Sequence, residues 1–150
     1  MPVTSKTDAI ALEAGWLQLL GDLDASHQCS QSIEGRGRHQ AGDYWHAVMH
    51  RREPDYGNSK YWFHQFSSHP VFPKLVEEVP RVADQFRSSA FDAWTDRLTA
   101  GGVWRPKAFV DCCQTAAATD DKTFRSAVEE LQYREMLLLL RQTALDAAGR

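Results

Sequence analysis

Apolar residues recur at three- and four-residue intervals over most of the chain, and this spacing limits the possible folds more than any other feature. Such spacing puts apolar side chains on one face of an α-helix. No segment shows the sustained alternation of a β-strand. The sequence therefore predicts an all-α fold, a single-domain irregular helical bundle of roughly five to seven helices spanning residues 1–150.

Capping residues, prolines and glycines predict where these helices begin and end. The first helix is predicted over residues 5–21, with Trp16 and Leu20 in an apolar stripe that belongs to the core. Residues 22–42 are polar and rich in glycine towards their end, so we expect a long connection with a helical turn around 26–33. The remaining predicted helices are 43–53 with Asp43 as its N-cap, about 59–67 with Asn58 as its N-cap, 73–99 with a split at Pro80, 106–118 and 121–147.

Charge and composition narrow the class of protein. The net charge of -3 gives no support for a general electrostatic grip on nucleic acid or anionic membranes. The longest apolar run, Met136 to Leu140, is too short to span a bilayer, and the N-terminus lacks the pattern of a secretory signal. Three cysteines, two of them adjacent, suit a reducing compartment better than a disulfide framework. We therefore expect a cytoplasmic protein with no nucleic-acid or membrane partner; a homodimer is an open alternative.

Functional groups concentrate in residues 43–72, DYWHAVMHRREPDYGNSKYWFHQFSSHPVF. This stretch holds four of the six histidines, three of the four tyrosines and two tryptophans. Aromatic side chains with polar tips, mixed with titratable groups, are typical of pockets for small molecules. We therefore expect the functional site here, with a contribution from the preceding connection.

A histidine pair in this stretch has the spacing of metal ligands. His46, His50 and Glu53 stand at i, i+4 and i+7, so they share one face of the predicted helix. Two imidazoles at i and i+4 can present their nitrogens to one divalent metal. Ala47 stands where the H-E-x-x-H motif of metalloproteases needs its glutamate, so that mechanism is absent. A third ligand could come from another imidazole or carboxylate: His27, Glu53 or His69.

Positive side chains flank the turn between the two predicted helices: Arg51, Arg52 and Lys60. Guanidinium groups bind carboxylates and phosphates bidentately, and Asn58 at a helix start would add backbone N–H groups that point at an anion. Glu53 and Asp55 lie between these cations, however, and the charges can instead pair with one another and fix the turn. Both interpretations, an anion pocket and a structural ion-pair network, stay open.

The run SHQCSQSIE at 26–34, together with the stretch 43–72, resembles a family of uncharacterised bacterial proteins of planctomycete type. Members of this family look like small all-helical cytoplasmic proteins with the pattern YWHxxxHRREPDYxNxKYWF…HPVF, and the resemblance extends weakly to FVDCCQ and ELQYREMLLLL. His64 and Gln65 stand where similar sequences more often carry arginines. The resemblance implies no activity, but these positions match its motif: His27, Gln31, Tyr44, Trp45, His46, His50, Arg51, Arg52, Glu53, Asp55, Asn58, Lys60, Tyr61, Trp62, His69 and Pro70.

Three functions fit these patterns. The leading hypothesis is a pocket within residues 27–70 that binds a small anionic or polar ligand, with His46, His50 and Glu53 as catalytic groups. Its predicted ligand-binding residues are His27, Tyr44, Arg51, Arg52, Lys60, Tyr61 and His69. The second hypothesis is a hydrolase dependent on a divalent metal bound by His46 and His50. The third is a non-enzymatic interaction module in which the motif only locks a helical turn. The sequence does not decide whether the protein is an enzyme.

Overall fold

The computed structural model describes residues 2–150, which form eight α-helices, one short 3₁₀ helix and no β-strand. The α-helices are α1 Lys6–Leu19, α2 Leu23–Gln31, α3 Ala41–Arg52, α4 Tyr56–Phe63, α5 Phe72–Phe86, α6 Ser89–Leu98, α7 Pro106–Ala117 and α8 Lys122–Ala147, and the 3₁₀ helix is Ala100–Gly102. The all-α prediction is confirmed. The predicted number of helices is slightly too low, because α2 forms in a segment predicted as a connection. Within residues 2–150, no helix is both long and apolar enough to cross a membrane.

The chain divides into two compact units. Unit 1 comprises the residues up to His69 together with Met136–Arg150, and unit 2 comprises Pro70–Glu135. Unit 1 therefore contains α1 to α4 and the C-terminal part of α8, including every residue predicted for the site. The single-domain organisation stays a prediction.

In α1, the buried face differs from the predicted one. Trp16 and Leu20 are 53% and 79% exposed, so their assignment to the core is wrong. A β-carbon on Gly15 would lie 2.6 Å from the ring of Trp45 in α3, so a small residue is needed where α1 approaches that ring. The face that α1 buries is accordingly made of small and polar residues: Asp8, Ala11, Ala14, Gly15 and Gln18.

In place of the predicted long connection, α2 begins directly after Asp22, whose carboxylate caps it. The Ser26 hydroxyl donates a hydrogen bond of 2.8 Å to the Ala14 carbonyl and so ties α2 to α1. At the other end of α2, a β-carbon on Gly42 would lie 2.6 Å from the side chain of Ile33, which brings α2 close to the start of α3. These contacts position α2 alongside the histidine-bearing helix α3.

The connection between α2 and α3 is held by three buried carboxylates, one each from α1, α3 and α8: Asp8, Asp43 and Asp146. Asp8 accepts a hydrogen bond of 3.1 Å from the backbone N–H of Arg38, and Asp43 accepts one of 3.1 Å from the backbone N–H of Gly35. Asp146 accepts one of 2.8 Å from Nδ1 of His39. Buried polar groups with such partners are costly to disturb. The connection is therefore tied at three successive points, which fixes how α2 leads into α3.

Both helices of the central stretch begin earlier than predicted. α3 begins at Ala41 after Gln40, a left-handed residue with φ 50°, so Asp43 is not the N-cap. α4 begins at Tyr56 because Asp55 caps it, accepting a hydrogen bond of 3.3 Å from the Asn58 backbone N–H. The prediction that Asn58 starts this helix and offers its N–H to an anion is wrong, since a carboxylate of the chain already accepts that N–H.

In unit 2, α5 continues through Pro80, so the predicted split at this proline is wrong. The helix ends instead at Arg87, which is left-handed with φ 51°, and Ser88 then caps α6 by accepting a hydrogen bond from the Phe91 backbone N–H. The left-handed residue interrupts the helical backbone, and the serine cap then starts a new helix. α7 and α8 confirm the predictions for the rest of the chain, within one or two residues.

Candidate metal centre

Three histidines from two helices meet in unit 1. His27 comes from α2, and His46 and His50 come from one face of α3, where their four-residue spacing stacks them. The ring centroids are 4.7 Å apart for His27 and His46, 5.3 Å for His27 and His50, and 4.9 Å for His46 and His50. One ring nitrogen from each residue lies within 4.8 Å of the other two. The sequence offered three candidates for a third metal ligand. Of these, the structure brings His27 next to His46 and His50.

A hydrogen bond fixes the orientation of His50. Its Nδ1 lies 2.8 Å from Oε1 of Glu53, and its side chain is only 7% exposed. An ionised carboxylate can only accept a hydrogen bond, so Nδ1 carries the proton and donates it. In the neutral ring, this tautomer leaves the lone pair on Nε2, and an imidazole binds a metal through such a lone pair.

His46 is held by stacking rather than by hydrogen bonds. Its ring lies parallel to the indole of Trp62 in α4, with centroids 3.9 Å apart, and the residue is 1% exposed. Burial, reinforced by His50 and then His27, lowers the pKa of His46 to about 3. Within residues 2–150, its buried Nδ1 has no hydrogen-bond partner. His46 is therefore neutral at physiological pH, as a metal ligand must be.

The three imidazoles need only a small movement to bind a common metal. In a tetrahedral zinc site the Zn–N bonds are about 2.0–2.1 Å, which puts ligand nitrogens about 3.3 Å apart. The nitrogens here lie within 4.8 Å of one another, so a side-chain rotation can close the remaining gap. His27 is half-buried whereas His46 and His50 are buried, so His27 has the most freedom to make this movement.

Tyr44 and His69, predicted as ligand-binding residues, lie in a different cluster. Tyr44 stands two residues before His46, which puts it on nearly the opposite side of α3. Its buried ring lies 5.0 Å from the ring of His69 and 5.5 Å from that of Phe63. Burial, together with His39, lowers the pKa of His69 to about 3. The expected convergence of His69 with the other site histidines is therefore not seen.

The positively charged residues predicted to bind an anion are all at least partly buried. Arg51 is buried, with its guanidinium 5.9 Å from the centroid of the Phe63 ring. Arg52 donates a hydrogen bond of 2.8 Å to the Gln18 carbonyl of α1, and burial, reinforced by Arg51, lowers its pKa. Lys60 is half-buried on α4.

Tyr61 lies beside the histidine cluster rather than within it. It is 57% exposed, and its ring meets the Trp62 ring edge-on at 5.3 Å. Two contacts were not predicted from the sequence. Trp62 stacks on His46, and this contact depends on how α3 and α4 pack. His39, which pairs with Asp146 at 2.8 Å, stands too far from it in sequence for any spacing rule to connect them.

Comparison of the chain with models of protein families, with curated proteins and with solved structures found no match. Any inference about function therefore rests on the geometry and chemistry of the site.

Proposed function

We propose that this protein is a divalent-metal-dependent hydrolase in which His27, His46 and His50 bind the metal. The observation that carries the proposal is the convergence of three imidazole nitrogens, from two helices, within 4.8 Å of one another. Imidazole donors suit zinc, copper, iron and nickel, whereas magnesium and calcium prefer oxygen ligands. Three protein ligands with a fourth position for water or substrate make up the usual coordination of a catalytic zinc ion.

The reaction class follows from that open position. A zinc ion held by His27, His46 and His50 would supply Lewis-acid chemistry, because it would activate a water molecule and polarise a carbonyl or phosphoryl group of the substrate. The metal also attracts an anionic or polar substrate, so the small anionic ligand expected from the sequence remains part of the proposal without needing Arg51 or Arg52.

The location and the ancestry of the protein are parts of the same proposal. We place the protein in the cytoplasm because its sequence suits a reducing compartment, and no disulfide joins the cysteines of residues 2–150. We assign it to the bacterial family that its motif resembles, because that motif is long and the matching positions include all three histidines.

The proposal is tested by metal binding and activity together. Purified protein is stripped with a chelator and titrated with zinc, cobalt, nickel and manganese, and each form is assayed on chromogenic phosphate esters, carboxylate esters and amides. We expect one metal per chain, with tight binding of zinc and activity that depends on the metal. His27→Ala, His46→Ala and His50→Ala should each weaken binding, whereas the exposed His64→Ala is the matched control.

The outcomes separate the three hypotheses. Metal binding that all three site variants weaken, and that the control does not, supports the centre, and metal-dependent turnover supports the hydrolase. A wild-type protein that binds none of the four metals would contradict the proposal. The buried histidines would then be structural, and His46→Ala would only lower the free energy of unfolding, as expected of an interaction module.

A further inference from the structure

The Glu53 carboxylate sits outside the three-histidine cluster yet contacts one of its members. Its Oε1 lies 2.8 Å from Nδ1 of His50, while its side chain is 36% exposed and that of His50 only 7%. The sequence predicted Glu53 as a catalytic group or a third ligand. The hydrogen bond to the back of an imidazole indicates a different role.

We propose that Glu53 is the positioning residue of this centre, a role that rests on the proposed metal site. By accepting the Nδ1–H of His50, the carboxylate selects the tautomer whose Nε2 is free to bind and holds the ring in one orientation. It also makes Nε2 more basic, since the Nδ1–H group donates a hydrogen bond to a negatively charged carboxylate. Glu53 itself touches neither the metal nor the substrate.

The other two imidazoles show why His50 needs this partner. The ring of His46 is clamped by stacking on Trp62 at 3.9 Å. His27 is half-buried on α2, so its ring has more room to move than the two buried rings. The ring orientation of His50 depends on a hydrogen bond to a charged group. Loss of that bond should therefore weaken metal binding.

A second cation beside Glu53 is the competing interpretation. Atoms of His50, Glu53 and Asp55 also lie within 4.8 Å of one another, which is a possible spacing for metal ligands. However, Asp55 already accepts the Asn58 backbone N–H at 3.3 Å as the cap of α4. The separation of 2.8 Å between Glu53 and His50 is that of a direct charge-assisted hydrogen bond. The geometry therefore favours positioning over a second metal.

The test compares Glu53→Ala with Asp55→Asn. Both variants remove one negative charge near His50, but asparagine still caps α4, so only Glu53→Ala removes the hydrogen bond to the ring. Zinc affinity is measured by competition with a chromophoric chelator. The His50 tautomer is read by long-range ¹H–¹⁵N NMR of the metal-free protein at pH 8. We expect Glu53→Ala to bind zinc about 10- to 100-fold more weakly and to lose the pure Nδ1–H tautomer. Asp55→Asn should retain both properties of the wild type.

Each possible result decides the matter. Wild-type zinc affinity in Glu53→Ala would overturn the positioning role, and so would an equal loss in both variants, which would point to charge alone. Two metals per wild-type chain, with one lost in both variants, would establish the second-cation interpretation instead. If the wild type binds no metal, the proposed function fails and the positioning role falls with it, whereas the tautomer measurement still reports whether Glu53 orients His50.

Discussion

At the scale of single residues, the buried imidazoles dominate the chemistry of unit 1. His46 and His69 are almost inaccessible to solvent, and burial is the first cause that lowers the pKa of each to about 3. An unfolded chain exposes both rings, with an ordinary pKa of about 6.5. The folded protein therefore holds two neutral histidines that the unfolded chain would protonate in mild acid.

This difference predicts how stability depends on pH. Because the folded pKa is lowered, the stabilisation is fully present above pH 6.5 or so and is lost as the pH falls towards 3. Each histidine should add a slope of about 1.4 kcal/mol per pH unit to the free energy of unfolding in that window. Urea unfolding of metal-free protein between pH 4 and 8 measures the slope. His46→Asn and His69→Asn should each remove the part of the slope that the replaced histidine contributes. Unchanged slopes in both variants would contradict this account.

Two glycines offer a matched pair for testing the packing of α1 on Trp45. A β-carbon at Gly15 would lie 2.6 Å from the indole, which is fully buried and donates a hydrogen bond to Thr143 at 3.2 Å. Gly57, also helical, has nothing within 4 Å of such a carbon. Gly15→Ala should cost about 1–3 kcal/mol by overpacking, whereas Gly57→Ala should stabilise by up to about 1 kcal/mol. Denaturant unfolding measures both, and a neutral Gly15→Ala would show that the ring can move.

At the scale of elements, the sequence predicted most helices because their caps and apolar spacing are local signals. The failures have physical causes. α2 was missed because its stretch is short and polar and is tied to α1 by hydrogen bonds such as that of Ser26. The buried face of α1 was misjudged because close approach to Trp45 favours small residues over large apolar ones. Local patterns do not report which partner a helix will meet.

The site shows the same limit. The pairing of His46 and His50 followed from helical spacing, and His27 was among the candidates for a third ligand. Neither the separation of His69 from this cluster nor the stacking of Trp62 on His46 could be read from spacing, because both depend on how the helices pack. Arg52, expected to hold an anion, instead donates a hydrogen bond to the Gln18 carbonyl of α1, a contact between helices that the sequence does not display.

Asp8, Asp43 and Asp146 clamp the connection between α2 and α3 by accepting hydrogen bonds from it. Loss of one of these carboxylates should therefore lower stability. Asp43 accepts hydrogen bonds from the Gly35 backbone N–H at 3.1 Å and from the Gln40 side chain at 2.9 Å. Asp43→Ala removes the acceptor of both hydrogen bonds, so it should lower the free energy of unfolding by about 1–3 kcal/mol. Asp22→Asn is the control, because asparagine caps a helix as well as aspartate does. Equal stability of the two variants would show that the clamp contributes little.

At the scale of the whole molecule, the proposed metal ligands all belong to unit 1, and all three lie on α2 and α3, the two helices joined by the clamped connection. Metal binding should therefore stabilise the folded chain, since the unfolded chain does not hold these imidazoles together. At free zinc 100-fold above the dissociation constant, the gain is about 2.7 kcal/mol. Thermal unfolding with increasing zinc measures it, and a transition temperature that does not move would contradict the presence of a specific site.

The most direct test of the central claim is to count the imidazoles that bind the metal. Zinc-loaded protein, with one metal per chain confirmed by elemental analysis, is studied by X-ray absorption at the zinc edge, alongside His27→Ala. The account predicts three imidazole ligands and one further oxygen at about 2.0 Å in the wild type, with one imidazole fewer in the variant. A zinc ion surrounded by oxygen atoms, or an identical spectrum for the variant, would contradict it.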